Sequence, residues 1–152
     1  MPSFSSASAA SVAKAHPKMQ AILNEAIKRI DFRVLDSTRG RAAQTKAFLT
    51  GHSKAKFGQS AHNYAPSIAV DLFPAPYDWK NRAAFVALYN TIGFYDPATN
   101  KGKGIALEMK IGVRCGLDWH MDGVNPGDDW DGGHYELHPW RDWAKQSHLV
   151  ED

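Results

Sequence analysis

The apolar positions of this 152-residue chain switch repeatedly between helical and strand spacing. Met19, Ile22, Leu23, Ala26, Ile27 and Ile30 fall on one helical face, and Pro17 suits the first turn of that helix. Phe32 to Leu35 alternates as a short strand does, and Arg41 to Thr50 reads as a second helix closed by Gly51. Gly58 to Ser67 is rich in Gly, Ser, Asn and Pro and is expected to be irregular. Ile68 to Phe73 has the β-branched, apolar look of a buried strand, with Asp71 as its single charge. Phe85, Leu88, Tyr89 and Ile92 predict a helix over Asn81 to Ile92, and Ile105 to Ile111 predicts a shorter one. A strand at His134 to Leu137 and a helix starting near Pro139 complete the pattern. Helices come first and strands are scattered among them, so the expected class is α+β, a small, mostly antiparallel sheet flanked by helices. Residues 1–15 read as a flexible N-terminal tail and 16–152 as a single domain.

Composition narrows the function classes. A chain that is 43% hydrophobic and 22% charged is globular rather than disordered. No apolar stretch approaches the ~20 residues of a membrane-spanning helix, so stable membrane insertion is not expected. Met1 to Ala15 lacks the basic start and apolar centre of a Sec-type signal. The single cysteine, Cys115, forms no internal disulfide, which fits synthesis in a reducing cytosol. The net charge of +2 hides an asymmetry: residues 1–57 balance at +7 and residues 58–152 at −5. A basic front half suits an anionic polymer or is simply a solvated helix face, and the expected partners exclude nucleic acid. From Leu117 to Leu137 there are six acids and no Lys or Arg, a stretch that repels itself unless well exposed or holding a cation.

The histidines carry the chemistry. His62 lies in Ser60-Ala61-His62, nine residues before Asp71, and a carboxylate in an apolar strand is costly to bury unless paired or bound to metal. His134 opens the other short strand, three residues after Asp131 in Asp131-Gly132-Gly133-His134. Two His and one Asp from neighbouring strands leave one position open for water, the make-up of a catalytic zinc site. A carboxylate nearby could then accept the proton of that water. The alternative is a buried His62–Asp71 ion pair with His134 capping a strand. His134 and His138 also have the four-residue spacing of a metalloprotease helix. However, Glu136 stands two residues after the first His instead of directly after it, and the segment alternates like a strand. On a strand His134, Glu136 and His138 share one face, and Glu136 or His138 could support a metal ligand from behind.

Ser60-Ala61-His62 … Ala69-Val70-Asp71 and Asp131-Gly132-Gly133-His134-Tyr135-Glu136-Leu137 resemble the two metal motifs of the M15 peptidases. This is the zinc family of D-Ala-D-Ala carboxypeptidases and dipeptidases and of phage L-alanyl-D-glutamate endopeptidases. The order of Leu35-Asp36-Ser37-Thr38-Arg39, Gln44, Gly51-His52-Ser53-Lys54 and Ser60-Ala61-His62-Asn63 is most similar to the phage endolysin branch. The resemblance runs from about Leu23 to Trp140. It implies a Hedgehog/DD-peptidase-like fold and one zinc ion held by His62, Asp71 and His134. It further implies Asp131 as general base and Arg39 as the arginine facing the substrate. Three departures stand out: the His62–Asp71 spacing is nine where the family's commonest form has seven, Asp131 stands where many relatives carry Glu, and Leu117 stands where branch members tend to show Gly.

The implied reaction is hydrolysis of the L-Ala–D-Glu bond in the peptidoglycan stem peptide, lysing a bacterial host. A D-Ala-D-Ala carboxypeptidase on the same fold and a non-catalytic, zinc-containing wall-binding module are the alternatives. A muramidase using two carboxylates would leave His62 and His134 unexplained. The resemblance also implies a monomer without a separate wall-binding domain, held in the host cytoplasm until lysis and then acting in the periplasm. Tyr135, Trp119 and Trp130 are candidates to line a peptide groove, with core packing as their other role. Asp118, Asp122, Asn125, Asp128 and Asp129 offer oxygens for a Ca²⁺ ion in the loop 118–129, without EF-hand spacing.

Overall fold

The structure, a computed structural model, describes residues 2–123 and 131–151. Helices α1 (Ser6–Ala13) and α2 (Pro17–Ala26) precede β1 (Phe32–Asp36) and α3 (Arg41–Leu49). A 3-10 turn at Ala61–Asn63 leads through β2 (Tyr64–Ala65) to β3 (Ala69–Pro74) and α4 (Arg82–Ile92). Then follow β4 (Phe94–Asp96), β5 (Lys101–Lys103), α5 (Gly104–Met109), β6 (Val113–Gly116), β7 (Asp131–Leu137), α6 (Trp140–Ala144) and β8 (His148–Leu149). Among the described residues, six strands form one sheet in the order β1-β3-β7-β6-β4-β5, every pair antiparallel, and β2 pairs with β8. The fold is α+β, as the alternation of apolar patterns predicts.

Strand parity divides this sheet into a greasy face and a chemical one. Val70 and Leu72 of β3, Tyr135 and Leu137 of β7, and Val113 and Cys115 of β6 are all buried. They pack with Met19, Ile22, Leu23 and Ala26 of α2, Leu88, Tyr89 and Ile92 of α4, and Ile105 and Ala106 of α5. Each fully buried Leu or Ile there contributes roughly 1.5–3 kcal/mol. The intervening residues point the other way: Asp71 and Phe73 on β3, His134 and Glu136 on β7, and Arg114 on β6. Register brings them together, since Asp71 pairs with His134 and Arg114 with Glu136.

The helices begin where local chemistry satisfies their free amides. His16 Nδ1 accepts from the Lys18 amide ahead of Pro17, and Asn81 Oδ1 accepts from the Ala84 amide at 3.0 Å. The stretch read as a flexible tail instead carries α1. Val12 is buried, Phe4 sits edge-on to Phe32, and Ser8 Oγ accepts the Val34 amide at 3.0 Å on the sheet's outer strand. Its Ser/Ala-rich sequence has little amphipathic pattern, so only the sheet edge gives it a role. The irregular segment 58–67 contains the 3-10 turn and β2. Strands β4, β5, β6 and β8 have two to four residues each, too short for a periodic signal of their own.

Candidate metal centre

His62 enters the site from the 3-10 turn, where Ser60 Oγ accepts its amide at 3.2 Å. Asn63 locks the turn: its Oδ1 accepts from the Gly58 and Ser60 amides, and its Nδ2 donates to the Arg39 carbonyl. His62 Nδ1 lies 2.8 Å from the Ser37 carbonyl, an acceptor only, so Nδ1 carries the proton. That leaves the Nε2 lone pair buried, without a hydrogen-bond donor, 3.4 Å from Asp71 Oδ1.

His134 arrives from β7 directly across from Asp71. Its Nε2 lies 2.7 Å from Glu136 Oε1, and its Nδ1 lies 3.5 Å from the same Asp71 Oδ1 that faces His62. Arg114 holds the other Glu136 oxygen at 2.8 Å. A carboxylate behind a ligating imidazole is the usual support of a metal-binding histidine. One ligand atom from each of His62, Asp71 and His134 lies within 4.8 Å of the others. Donors on one tetrahedral zinc at ~2.0–2.1 Å stand roughly 3.3–3.4 Å apart. The two observed nitrogen–oxygen separations match that spacing, and His62 Nε2 has nothing else to bind. The residues fit a zinc ion.

The electrostatics point the same way. Burial by itself would push the Asp71 carboxyl up, but the facing His62 imidazole, in its protonated form, and His134 hold it well below the usual carboxylate range. Burial also disfavours a charged His134, yet its bonds to Asp71 and Glu136 prevail and raise it to about 10. Glu136 is lowered despite its burial by His134 and Arg114. Without metal, the cluster therefore keeps a proton where a cation would sit.

Asp131 and Arg39 border the same cleft, which encloses about 1100 Å³. On a regular strand Asp131 and His134, three apart, would face opposite sides. The β6–β7 register jumps instead: Cys115 faces Tyr135, and Gly116 then faces Asp131 where regular pairing would put His134. This bulge turns Asp131 toward the cleft that His62, Asp71 and His134 line. Two glycines make it sterically possible. A Cβ on Gly116 would collide with the Asp131 carbonyl, and one on Gly133 would meet the Leu72 carbonyl at 2.5 Å. Burial raises the Asp131 carboxyl above its ordinary range, and the Asp71 charge adds to this, against the opposing pull of His134, His62 and Arg39. Arg39 Nη1 donates to Gln44 Oε1 at 3.1 Å, and Nη2 stands 3.5 Å from Asp71 Oδ2. Gln44, fully buried, is itself fixed by bonds to Ser53 and the Ala55 carbonyl.

The remaining candidates separate cleanly. Glu136 backs His134, whereas His138 points to Asp96, 4.0 Å away, and leaves the site. His16 caps α2, and His52 bonds Thr50 at the cleft margin. Trp119 borders the cleft, its ring 5.4 Å from that of His134. Tyr135 is fully buried in the core and lines no groove. Leu117 packs over Gly132: a Cβ there would stand 3.3 Å from Leu117 Cδ2, which gives this larger side chain a packing role beside the bulge. Asp118 is already engaged within the fold. It is fully buried, accepts the Tyr89 hydroxyl at 2.5 Å and takes the amides of Asp122 and Gly123. Asn125, Asp128, Asp129 and Trp130 lie outside the described residues. Sequence reasoning missed the hold of Arg114 on Glu136, whose only signal was the shared parity of two strands.

Fold and site together define an α+β fold in which His62, Asp71 and His134, a group able to hold a metal ion, line a cleft. No protein-family model matches the chain, and no curated protein matches it. Among solved structures, it is similar to the L-Ala D-Glu endopeptidase ChiX of Serratia marcescens. The two share 22% sequence identity with a TM-score of 0.63, over 93% of this chain and 92% of that one. A likeness of this degree shows a common fold.

Proposed function

We propose that this chain is a zinc-dependent peptidoglycan peptidase that hydrolyses the L-Ala–D-Glu bond of the stem peptide, and that it serves as a phage lysis enzyme. The observation that carries the reading is the His62–Asp71–His134 cluster, with donors at zinc spacing and an inward Nε2 lone pair. The shared fold with an L-Ala D-Glu endopeptidase supports the choice of substrate. His62, Asp71 and His134 would hold the ion, which when bound supplies Lewis acidity, lowering the pKa of water towards ~7 and polarising the scissile carbonyl.

The chain's own residues divide the remaining work. Asp131, a carboxyl raised by burial, accepts a proton from the attacking water and returns it to the leaving amine. Arg39, held by Gln44, presents donors to a substrate carboxylate or to the negative charge that develops on the carbonyl oxygen. Glu136 keeps the His134 Nε2 proton on the side away from Asp71 and leaves Nδ1 facing it.

The test is digestion of purified Gram-negative sacculi with mass spectrometry of the released fragments, with and without a chelator, beside Asp131→Asn. A new D-Glu amino terminus, abolished by chelator, restored by zinc and reduced by about 10²–10⁴ in the variant, is expected. Release of terminal D-Ala alone would move the enzyme to the carboxypeptidases. No cleavage by folded, zinc-loaded protein would leave a wall-binding module.

A further inference from the structure

One aromatic side chain beside the metal-ligand cleft stands largely in solvent. Trp79 is 63% exposed and lines the same cleft as His62, Asp71 and His134. Its indole lies flat on Phe73, ring centroids 4.1 Å apart and planes within 12°. Phe85 lies 5.9 Å from Trp79 at an interplanar angle of 21°. One indole face is therefore covered, and exposure this large leaves the opposite face bare.

The backing is anchored in the site. Phe73 follows Asp71 by two residues on β3, so both side chains stand on the same face of the sheet. Their Cα atoms are separated by about 7 Å along the strand. Phe85 reaches the bulge next to Asp131, since a Cβ on Gly132 would stand 3.3 Å from Phe85 Cδ1. The aromatic row thus runs outward from the metal ligands and the candidate base. Lys80 and Arg82 border the cleft beside Trp79.

We propose that Trp79 is a sugar platform: a pyranose ring of the glycan strand rests on its bare face while the attached peptide lies in the cleft. This rests on the peptidase reading and sharpens its substrate to a glycan-borne peptide. The chemistry of the substrate selects the sugar. Alanine and glutamate, which flank the bond, have no flat apolar group able to cover an indole. The C–H face of a pyranose is flat and apolar, and its hydroxyls point sideways to water. Lys80 and Arg82 complement the carboxylates of the attached peptide.

The experiment compares zinc-loaded wild type, Trp79→Ala and Trp79→Phe on the free stem peptide and on the same peptide carried by N-acetylglucosaminyl-N-acetylmuramic acid. Trp79→Ala is expected to lower kcat/KM on the glycan-borne peptide about three- to tenfold while leaving the free peptide within about twofold. Trp79→Phe is expected to restore most of the loss. Equal loss on both substrates, or no loss on either, overturns the proposal. The disaccharide alone is also titrated against metal-free protein by calorimetry. Saturable binding to wild type and none to Trp79→Ala upholds the platform even if neither peptide is cut, in which case the peptidase reading is what fails. No binding by wild type, or a dimer that Trp79→Ala dissociates in sedimentation, assigns the indole to another role and overturns the proposal.

Discussion

Glu136 Oε1 stands 2.7 Å from His134 Nε2, two residues away on the same strand, while Arg114 grips its other oxygen at 2.8 Å. The pair decides which imidazole nitrogen faces Asp71. Glu136→Ala is expected to weaken zinc affinity about 10- to 100-fold, and Glu136→Gln, which keeps an acceptor, by less. Competition against a chromophoric chelator measures both. Wild-type affinity in the Ala variant would refute the supporting role.

Zinc binding should expel a proton. Metal-free His134 is raised from 6.5 to about 10, so its stabilising contribution is complete below pH 6.5 and is lost as pH climbs through about 10. Asp71 is shifted down, so its contribution holds above the unfolded carboxylate range and is lost only as pH falls through its lowered value. The metal-free protein is therefore expected to lose thermal stability between pH 7 and 10, and zinc affinity to rise over that range. Calorimetry in buffers of different ionisation enthalpy should report release of about one proton near neutral pH. Zero protons would contradict the charged His134.

Gly133→Ala should damage the site through its backbone. The new Cβ would press on the Leu72 carbonyl, which β3 holds in place, and a cost of about 1–3 kcal/mol is expected. Gly132→Ala should be milder, because the atoms nearest its Cβ, at 3.3–3.4 Å, belong to the side chains of Leu117 and Phe85. Thermal melts of the two variants give the ranking, and the reverse order would show that the bulge is not held against β3.

Cys115 should be inert in the native state. It is fully buried, and burial pushes its thiol up to about 12. A disulfide reagent is expected to label it only at the rate of global or local opening and at once in denaturant. Rapid native labelling would require a looser β6.

Periodicity made α2, α4, β1 and β3 legible, because each buries one continuous apolar face against the core. It missed α1, whose weak pattern gains meaning only from Ser8 on Val34, and the short strands β4, β5, β6 and β8, which exist through their neighbours. Residue types and spacing singled out His62, Asp71 and His134, with Asp131 close by, since a carboxylate in an apolar strand and paired histidines demand a shared partner; Arg39 and the role of Asp131 came only from the family resemblance of the motifs. They could not show how Asp131 and His134, three apart, come to one side. That required a bulge whose geometry depends on Gly116 in another strand. Nor could they separate Asp118 from a calcium ligand, because the Tyr89 hydroxyl that occupies it lies 29 residues earlier in the chain. The sequence by itself determined the chemical inventory and the faces of the regular elements, both local properties. Only the tertiary structure decided which polar groups meet, because hydrogen bonds and strand register join residues that are distant along the chain.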